Sequence, residues 1–304
     1  MGSRLEEFKR GSDYLICIDS DGCAMDTMDI KHYRCFGPCM VAEWGLEKWQ
    51  DALLARWNDI NLYTGTRGIN RYKALGIILQ EIDRDYCPIP GLRTLENWIA
   101  ATGELSNKSL EDAIAAAKAA GSSAEGGGNP EGAAGNPAES GGTEAMKKAL
   151  SWSVHVNEGI TALSEDEKKA FPGVKEALAS LKGRADLVVV SSANLQAVMD
   201  EWKKEGILEY MNLVLTQNDG SKAFCIQELL KKGYDENRVL MVGDAPGDYD
   251  AAAKNNVCFF PILVRKEEQS WRKLREEAAD RFFSGSYRGE YEEAQIESFR
   301  DNLR

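Results

Sequence analysis

Five short apolar runs, Tyr14–Ile18, Leu187–Val190, Leu213–Leu215, Val239–Val242 and Val257–Leu263, constrain this chain more than any other feature. Amphipathic patterns with helical spacing follow them at Leu195–Lys204, Lys222–Lys232, Asp248–Asn255 and Glu267–Ala279. Runs of continuous rather than alternating apolarity, separated by helical crossovers, predict an α/β fold: a parallel sheet with helices on both faces. The first run stands alone at the N-terminus, and the others come only after residue 185. The sheet must therefore close around a long insertion, which predicts slower folding than a helical bundle of the same size.

That insertion, residues 29–171, carries helical spacing instead. Trp44, Leu46, Trp49, Leu53, Leu54 and Trp57 mark one pattern over Val41–Asn58, and Tyr72, Leu75, Ile78, Leu79 and Ile82 mark another over Asn70–Asp83. Ser109 with Asp112, and Ser164 with Glu167, read as capping boxes opening two further helices. No strand is expected there. Residues 121–142 contain eight glycines and no Leu, Ile, Val or aromatic residue, so they read as a flexible excursion. The expected organisation is an α/β core of residues 1–28 and 172–304 with an all-helical domain at 29–171.

Charge narrows the partners. Thirty-seven basic against forty-nine acidic residues give a net charge of −12, which disfavours nucleic acid or an anionic membrane as partner. No apolar run approaches the roughly 18 residues of a spanning helix. Seven scattered cysteines without an export signal predict reduced thiols and a cytoplasmic location. His32-x-x-Cys35-x-x-x-Cys39 fits no standard zinc spacing and is interrupted by Pro38, so buried thiols are expected there.

Ligands of open parallel sheets bind outside the carboxyl ends of the strands. At those ends this sequence places Asp19-Ser20-Asp21-Gly22, Ser191-Ser192, Lys222 opening a helix, and Gly243-Asp244 with Asp248 one turn later. Each element alone has an ordinary reading as a turn, a cap or a solvated charge. Together, in this order, they put carboxylates, a hydroxyl and a lysine on one edge of one sheet.

The stretches Ile16-Cys17-Ile18-Asp19-Ser20-Asp21-Gly22, Val188-Val189-Val190-Ser191, Lys222 and Val242-Gly243-Asp244-Ala245-Pro246-Gly247-Asp248 resemble the four motifs of the haloacid dehalogenase (HAD) superfamily of aspartate-nucleophile phosphatases. The resemblance implies a Rossmann-like core and a C1-type helical cap. It also implies Asp19 as nucleophile, Asp21 as general acid and base, Ser191 on a phosphoryl oxygen and Lys222 as neutralising cation. Mg²⁺ would be held by Asp19, Asp244 and the Asp21 carbonyl, with Asp248 completing or supporting that shell. Ser192 is the alternative to Ser191. Cys23 departs from the pattern, since Thr or Val usually follows that glycine.

The implied activity is a Mg²⁺-dependent phosphatase acting on a small phosphorylated metabolite. The alternatives are a sugar phosphomutase on the same scaffold and a non-catalytic module that binds a phosphorylated ligand. Arg67, flanked by Gly65 and Gly68, and Arg71 are the expected contacts for an anionic part of the substrate.

Overall fold

The computed structural model describes residues 4–124 and 142–304. They form two compact units, one of Met1–Ile30, Leu62–Gly68 and Leu163–Arg304, the other of Lys31–Asn61 and Ile69–Ala162.

The first unit holds strands β1 (Leu15–Ile18), β2 (Met25–Asp26), β3 (Lys169–Ala170), β4 (Asp186–Val190), β5 (Leu213–Leu215), β6 (Val239–Gly243) and β7 (Cys258–Pro261). Five of them make a parallel sheet of order β5-β4-β1-β6-β7. Ile18 stands opposite Val189 of β4 and Val242 of β6, so the residues after these strands meet at one edge. The chain runs outward from β1 through β4 and β5, then returns to β6 on the other flank. That reversal opens a crevice at the end of β1, where open α/β sheets take their ligands.

Burial explains why the strands read as unbroken apolar runs. Ile16, Ile18, Leu187, Val189, Leu240, Val242 and Phe260 face one layer with Leu178, Trp202 and Trp271. The alternate residues Leu15, Cys17, Val188, Val190, Val239, Met241 and Phe259 face the other, against Ile226, Leu229 and Ala252. With both faces covered, nearly every position is apolar, the exception being Asp186 at the start of β4, whose carboxylate accepts from Gly11 N and Ser12 N at 2.8 Å. The remaining strands, β2 and β3, form an antiparallel pair matching Met25 with Ala170. A strand at Lys169–Ala170 corrects the expectation of none within residues 29–171; two residues are too few for any periodicity to register.

The second unit is helical. Arg71–Asp85 is capped by the Asn70 side chain, which accepts from Tyr72 N at 2.9 Å. Trp57, Tyr72 and Trp152 form its aromatic core, and Trp57 Nε1 donates to His32 Nδ1 at 3.0 Å. The pattern at Val41–Asn58 splits at Gly45 (φ 67°), leaving helices Gly37–Trp44 and Gln50–Asn58. Trp57 alone of its three tryptophans is fully enclosed. The predicted capping boxes also shift. Ser106, not Ser109, accepts from a backbone N–H at the start of Asn107–Ala124, and the Ser164–Glu167 pair opens only one short 3₁₀ turn. Of the glycine-rich excursion, 121–124 end that helix and 125–141 lie outside the described residues. All seven cysteines carry free thiols, and among the described residues no helix is long and apolar enough to cross a membrane.

Candidate active site

Asp19 is the first residue beyond β1, and its N–H donates to Val242 O at 3.0 Å, pinning it beside β6. Asp244 follows β6, and Asp248 lies in the first turn of helix Pro246–Lys254. All three carboxylates are buried, and each offers an oxygen within 4.8 Å of those of the others. Lys222 opens helix Lys222–Leu230 and bridges two of them, with Nζ 2.8 Å from Asp19 Oδ1 and 2.6 Å from Asp248 Oδ1. The other oxygen of Asp248 accepts from the N–H groups of Asp244 at 3.2 Å and Ala245 at 3.0 Å. Asp248 therefore fastens the loop after β6 to the lysine.

Asp244 is held differently. Its Oδ2 accepts from Arg67 Nε at 2.7 Å, while its Oδ1 is buried without a hydrogen-bond partner among the described residues. A buried carboxylate oxygen left unpaired is costly. Beside two more carboxylates it makes an all-oxygen donor set suited to a hard divalent cation. The residues present fit such an ion, with Asp19 and Asp244 to hold it.

The electrostatics follow from this crowding. Burial, and next the nearby Asp248 and Asp244, push the Asp19 carboxyl well above its ordinary range against the pull of Lys222. Burial likewise raises Asp244 to about 6, with Arg67 opposing. Burial alone would lower Lys222, but Asp19 and Asp248 outweigh it and hold the ammonium firmly protonated.

The loop from Ser20 to Gly22 is tied down on several sides. Ser20 Oγ accepts from Trp202 Nε1 at 2.9 Å, and Cys23 O accepts from Trp271 Nε1 at 2.9 Å. The Asp21 carboxylate accepts from Thr27 Oγ1 at 2.5 Å. Gly22 adopts φ 80°, and a Cβ there would lie 2.5 Å from Arg67 Nη2 and 2.6 Å from Asp244 Oδ2, so only glycine fits. Gly22 also lines a cavity of about 210 Å³ whose wall carries Asp26, Asp29, Arg265 and Glu267.

Ser191 follows β4 at the same sheet edge. It is buried, its N–H donates to Leu215 O at 3.0 Å, and its hydroxyl accepts from Ala193 N at 3.1 Å; Ser192 is exposed. The two arginines expected to contact a substrate both have partners within the protein. Arg67 is buried on Asp244. Arg71, in the helical unit, donates to Ser153 Oγ at 3.0 Å and Asn157 Oδ1 at 2.8 Å and lies over the Phe36 ring. Loop glycines and cationic spacing identify a charge near a turn but not the acid that will claim it. Thr27 and Trp202 were not singled out by sequence, and no local pattern connects either to the loop it holds.

Residues 138–262 match the family model described as haloacid dehalogenase-like hydrolase. The match spans Ser191, Lys222, Asp244 and Asp248, and the sheet sets Asp19, which lies outside it, against that same group. Over that stretch the chain is similar to haloacid dehalogenase-like hydrolases. HAD-like structures similar to it include a family hydrolase from Streptococcus pneumoniae, 13% identical, with 85% of this chain and 90% of that one covered at a TM-score of 0.42. A family hydrolase from Xanthomonas campestris is 12% identical, with 90% and 99% covered at 0.45. A Lactobacillus plantarum protein assigned as a phosphoglycolate phosphatase is 10% identical, with 86% and 91% covered at 0.44. Among curated proteins, none matches this chain closely enough to count as a relative.

Proposed function

We propose that this hydrolase is a Mg²⁺-dependent phosphatase that cleaves a small phosphate monoester through an aspartyl-phosphate on Asp19. One observation carries the reading. Asp19 is clamped by Lys222 beside an Asp244 oxygen that has no hydrogen-bond partner among the described residues, and Asp21, two residues on, is held by Thr27.

Each residue then has a task. Asp19 attacks phosphorus as its carboxylate, forming a bond to one oxygen while the bond to the leaving oxygen breaks. Asp21 protonates that oxygen; Thr27 fixes its carboxyl in place. The carboxylate left on Asp21 then takes a proton from water, whose oxygen attacks phosphorus and releases Asp19. Lys222 lies 2.8 Å from Asp19 and stabilises charge as it moves between the carboxylate and the phosphoryl group. Ser191 donates its hydroxyl to a phosphoryl oxygen, and Asp248 keeps Lys222 and the loop of Asp244 together. A bound Mg²⁺, held by Asp19 and Asp244, supplies the positive charge that lets an anionic nucleophile approach an anionic substrate.

The cavity beside Gly22, about 210 Å³ and walled by charged side chains, suits a small polar leaving group. With a net charge of −12, the chain is also expected to work on a soluble phosphorylated metabolite rather than on a nucleic acid or a membrane.

The test is a panel of phosphorylated metabolites assayed with Mg²⁺, wild type beside Asp19→Asn. Free phosphate released one-for-one with substrate loss, and abolished in the variant, supports the reading. An isomeric sugar phosphate without free phosphate would replace it with a mutase. Normal turnover by folded Asp19→Asn would remove the nucleophile assignment altogether.

A further inference from the structure

We infer that Arg67 is a resident cation of the carboxylate cluster, which shares Asp244 with the divalent ion and thereby sets how tightly that ion is held. The inference rests on the proposal that Asp19 and Asp244 bind such an ion.

Arg67 is built into the site. Its side chain is 2% exposed, Nε lies 2.7 Å from Asp244 Oδ2, and Nη1 donates to Leu62 O at 2.7 Å. Its Nη2 lies 2.5 Å from where a Gly22 Cβ would stand, so the guanidinium occupies a slot that only glycine leaves open. This is not the geometry of a solvated loop arginine.

Charge counting gives the consequence. When all three are ionised, Asp19, Asp244 and Asp248 bring three negative charges, and Lys222 answers one. Arg67 answers a second, leaving the cluster one charge from neutral before any ion arrives. An ion using the free Oδ1 of Asp244 need not displace the guanidinium, yet both then sit on one carboxylate in a buried site. Coulomb energy scales with the product of the charges, so a divalent ion feels this repulsion doubly.

Arg67 could instead aid the ion by orienting Asp244, and the two roles predict opposite signs. Asp244 is already placed by the end of β6 and by its own N–H donating to Asp248. Repulsion is therefore expected to outweigh lost orientation.

The experiment is calorimetric titration of MgCl₂ into metal-free chain, wild type against Arg67→Met, Arg67→Gln and Arg67→Lys, with thermal melts of each form. Removing the charge in the Met and Gln variants is expected to tighten Mg²⁺ binding by about tenfold or more, while Lys, which keeps it, stays within about threefold of wild type. Metal-free Arg67→Met should melt below metal-free wild type, with the gap narrowing at saturating Mg²⁺. Should the Met variant fail to fold, Gln decides, because it keeps a hydrogen-bond donor without the charge. Binding equal to or weaker than wild type in the neutral variants overturns the inference and leaves the metal site standing. Absence of binding in wild type and variants alike removes both, whereas loss of binding in Asp244→Asn confirms where the ion sits.

Discussion

Lys222 is the place where charge and fold depend most directly on one another. Its ammonium lies 2.8 Å from Asp19 and 2.6 Å from Asp248, with side-chain exposures of 14%, 7% and 0%. Replacing it with Met keeps most of the stem's volume and deletes the charge, leaving two buried carboxylates facing each other. Breaking a buried pair from one side costs about 3–5 kcal/mol. Total domain stability is only about 5–15 kcal/mol, so the variant should unfold at distinctly lower urea. The assay is equilibrium denaturation in EDTA, followed by circular dichroism and tryptophan fluorescence. Adding Asp248→Asn to Lys222→Met removes one of the stranded charges and should recover part of the loss, a coupling of about 1–3 kcal/mol. A Lys222→Met midpoint indistinguishable from wild type, with no recovery in the double variant, would refute the view that these charges are held in low dielectric.

Three further outcomes test neighbouring parts of the argument. Gly22→Ala forces a side chain into φ 80° and against Arg67 and Asp244; left-handed strain with overpacking should cost about 2–4 kcal/mol in the same denaturation assay. Trp202→Phe keeps the ring but removes the donor to Ser20 Oγ, and should destabilise by about 1–3 kcal/mol; Ser20→Ala should then cost less in that background than alone. Asp244 gives a pH dependence. Its folded-state pKa of about 6 lies above the ordinary 3.8, so its contribution is full below the lower value and is lost as pH rises through the higher one. Metal-free wild type should therefore lose stability between roughly pH 4 and 6 relative to Asp244→Asn, read from paired urea midpoints.

The residues legible in advance are those whose placement depends on local order. Ile16 and Ile18 face one layer and Leu15 and Cys17 the other, so β1 had to be an apolar run, and whatever followed it had to emerge at a sheet edge. That fixes Asp19, and the same reasoning places Asp244 after β6 and Ser191 after β4. Lys222 is legible as the first residue of a helix whose strand ends nearby. What local order does not carry is who pairs with whom. Arg67 meets Asp244 across 177 residues, and Trp202 meets Ser20 across 182. Thr27 reaches Asp21 from only six residues away, but through the turn leading into β2, which pairs with the two-residue β3 far along the chain. Gly45 splits a helix that side-chain spacing alone runs straight through.

The same limit explains why the charge of the whole chain misleads about the charge of the site. A net charge of −12 suggests a surface hostile to phosphate, and three aspartates in one pocket deepen that impression. Inside, however, a carboxylate cannot rely on water and must find a cation or a hydrogen-bond donor, or else bind a proton. The fold answers with Lys222 from the segment after β5 and Arg67 from a loop between two helical stretches, each within 2.8 Å of an acid. Neither cation is adjacent in sequence to the acid it serves. A buried acidic cluster of this kind forms only when distant segments fold together, so its stability, and the cation affinity proposed for it, depend on the closed sheet rather than on any motif. Weakening the return of β6 to β1, where Asp19 N meets Val242 O, should therefore loosen ion binding even with all five charged side chains intact.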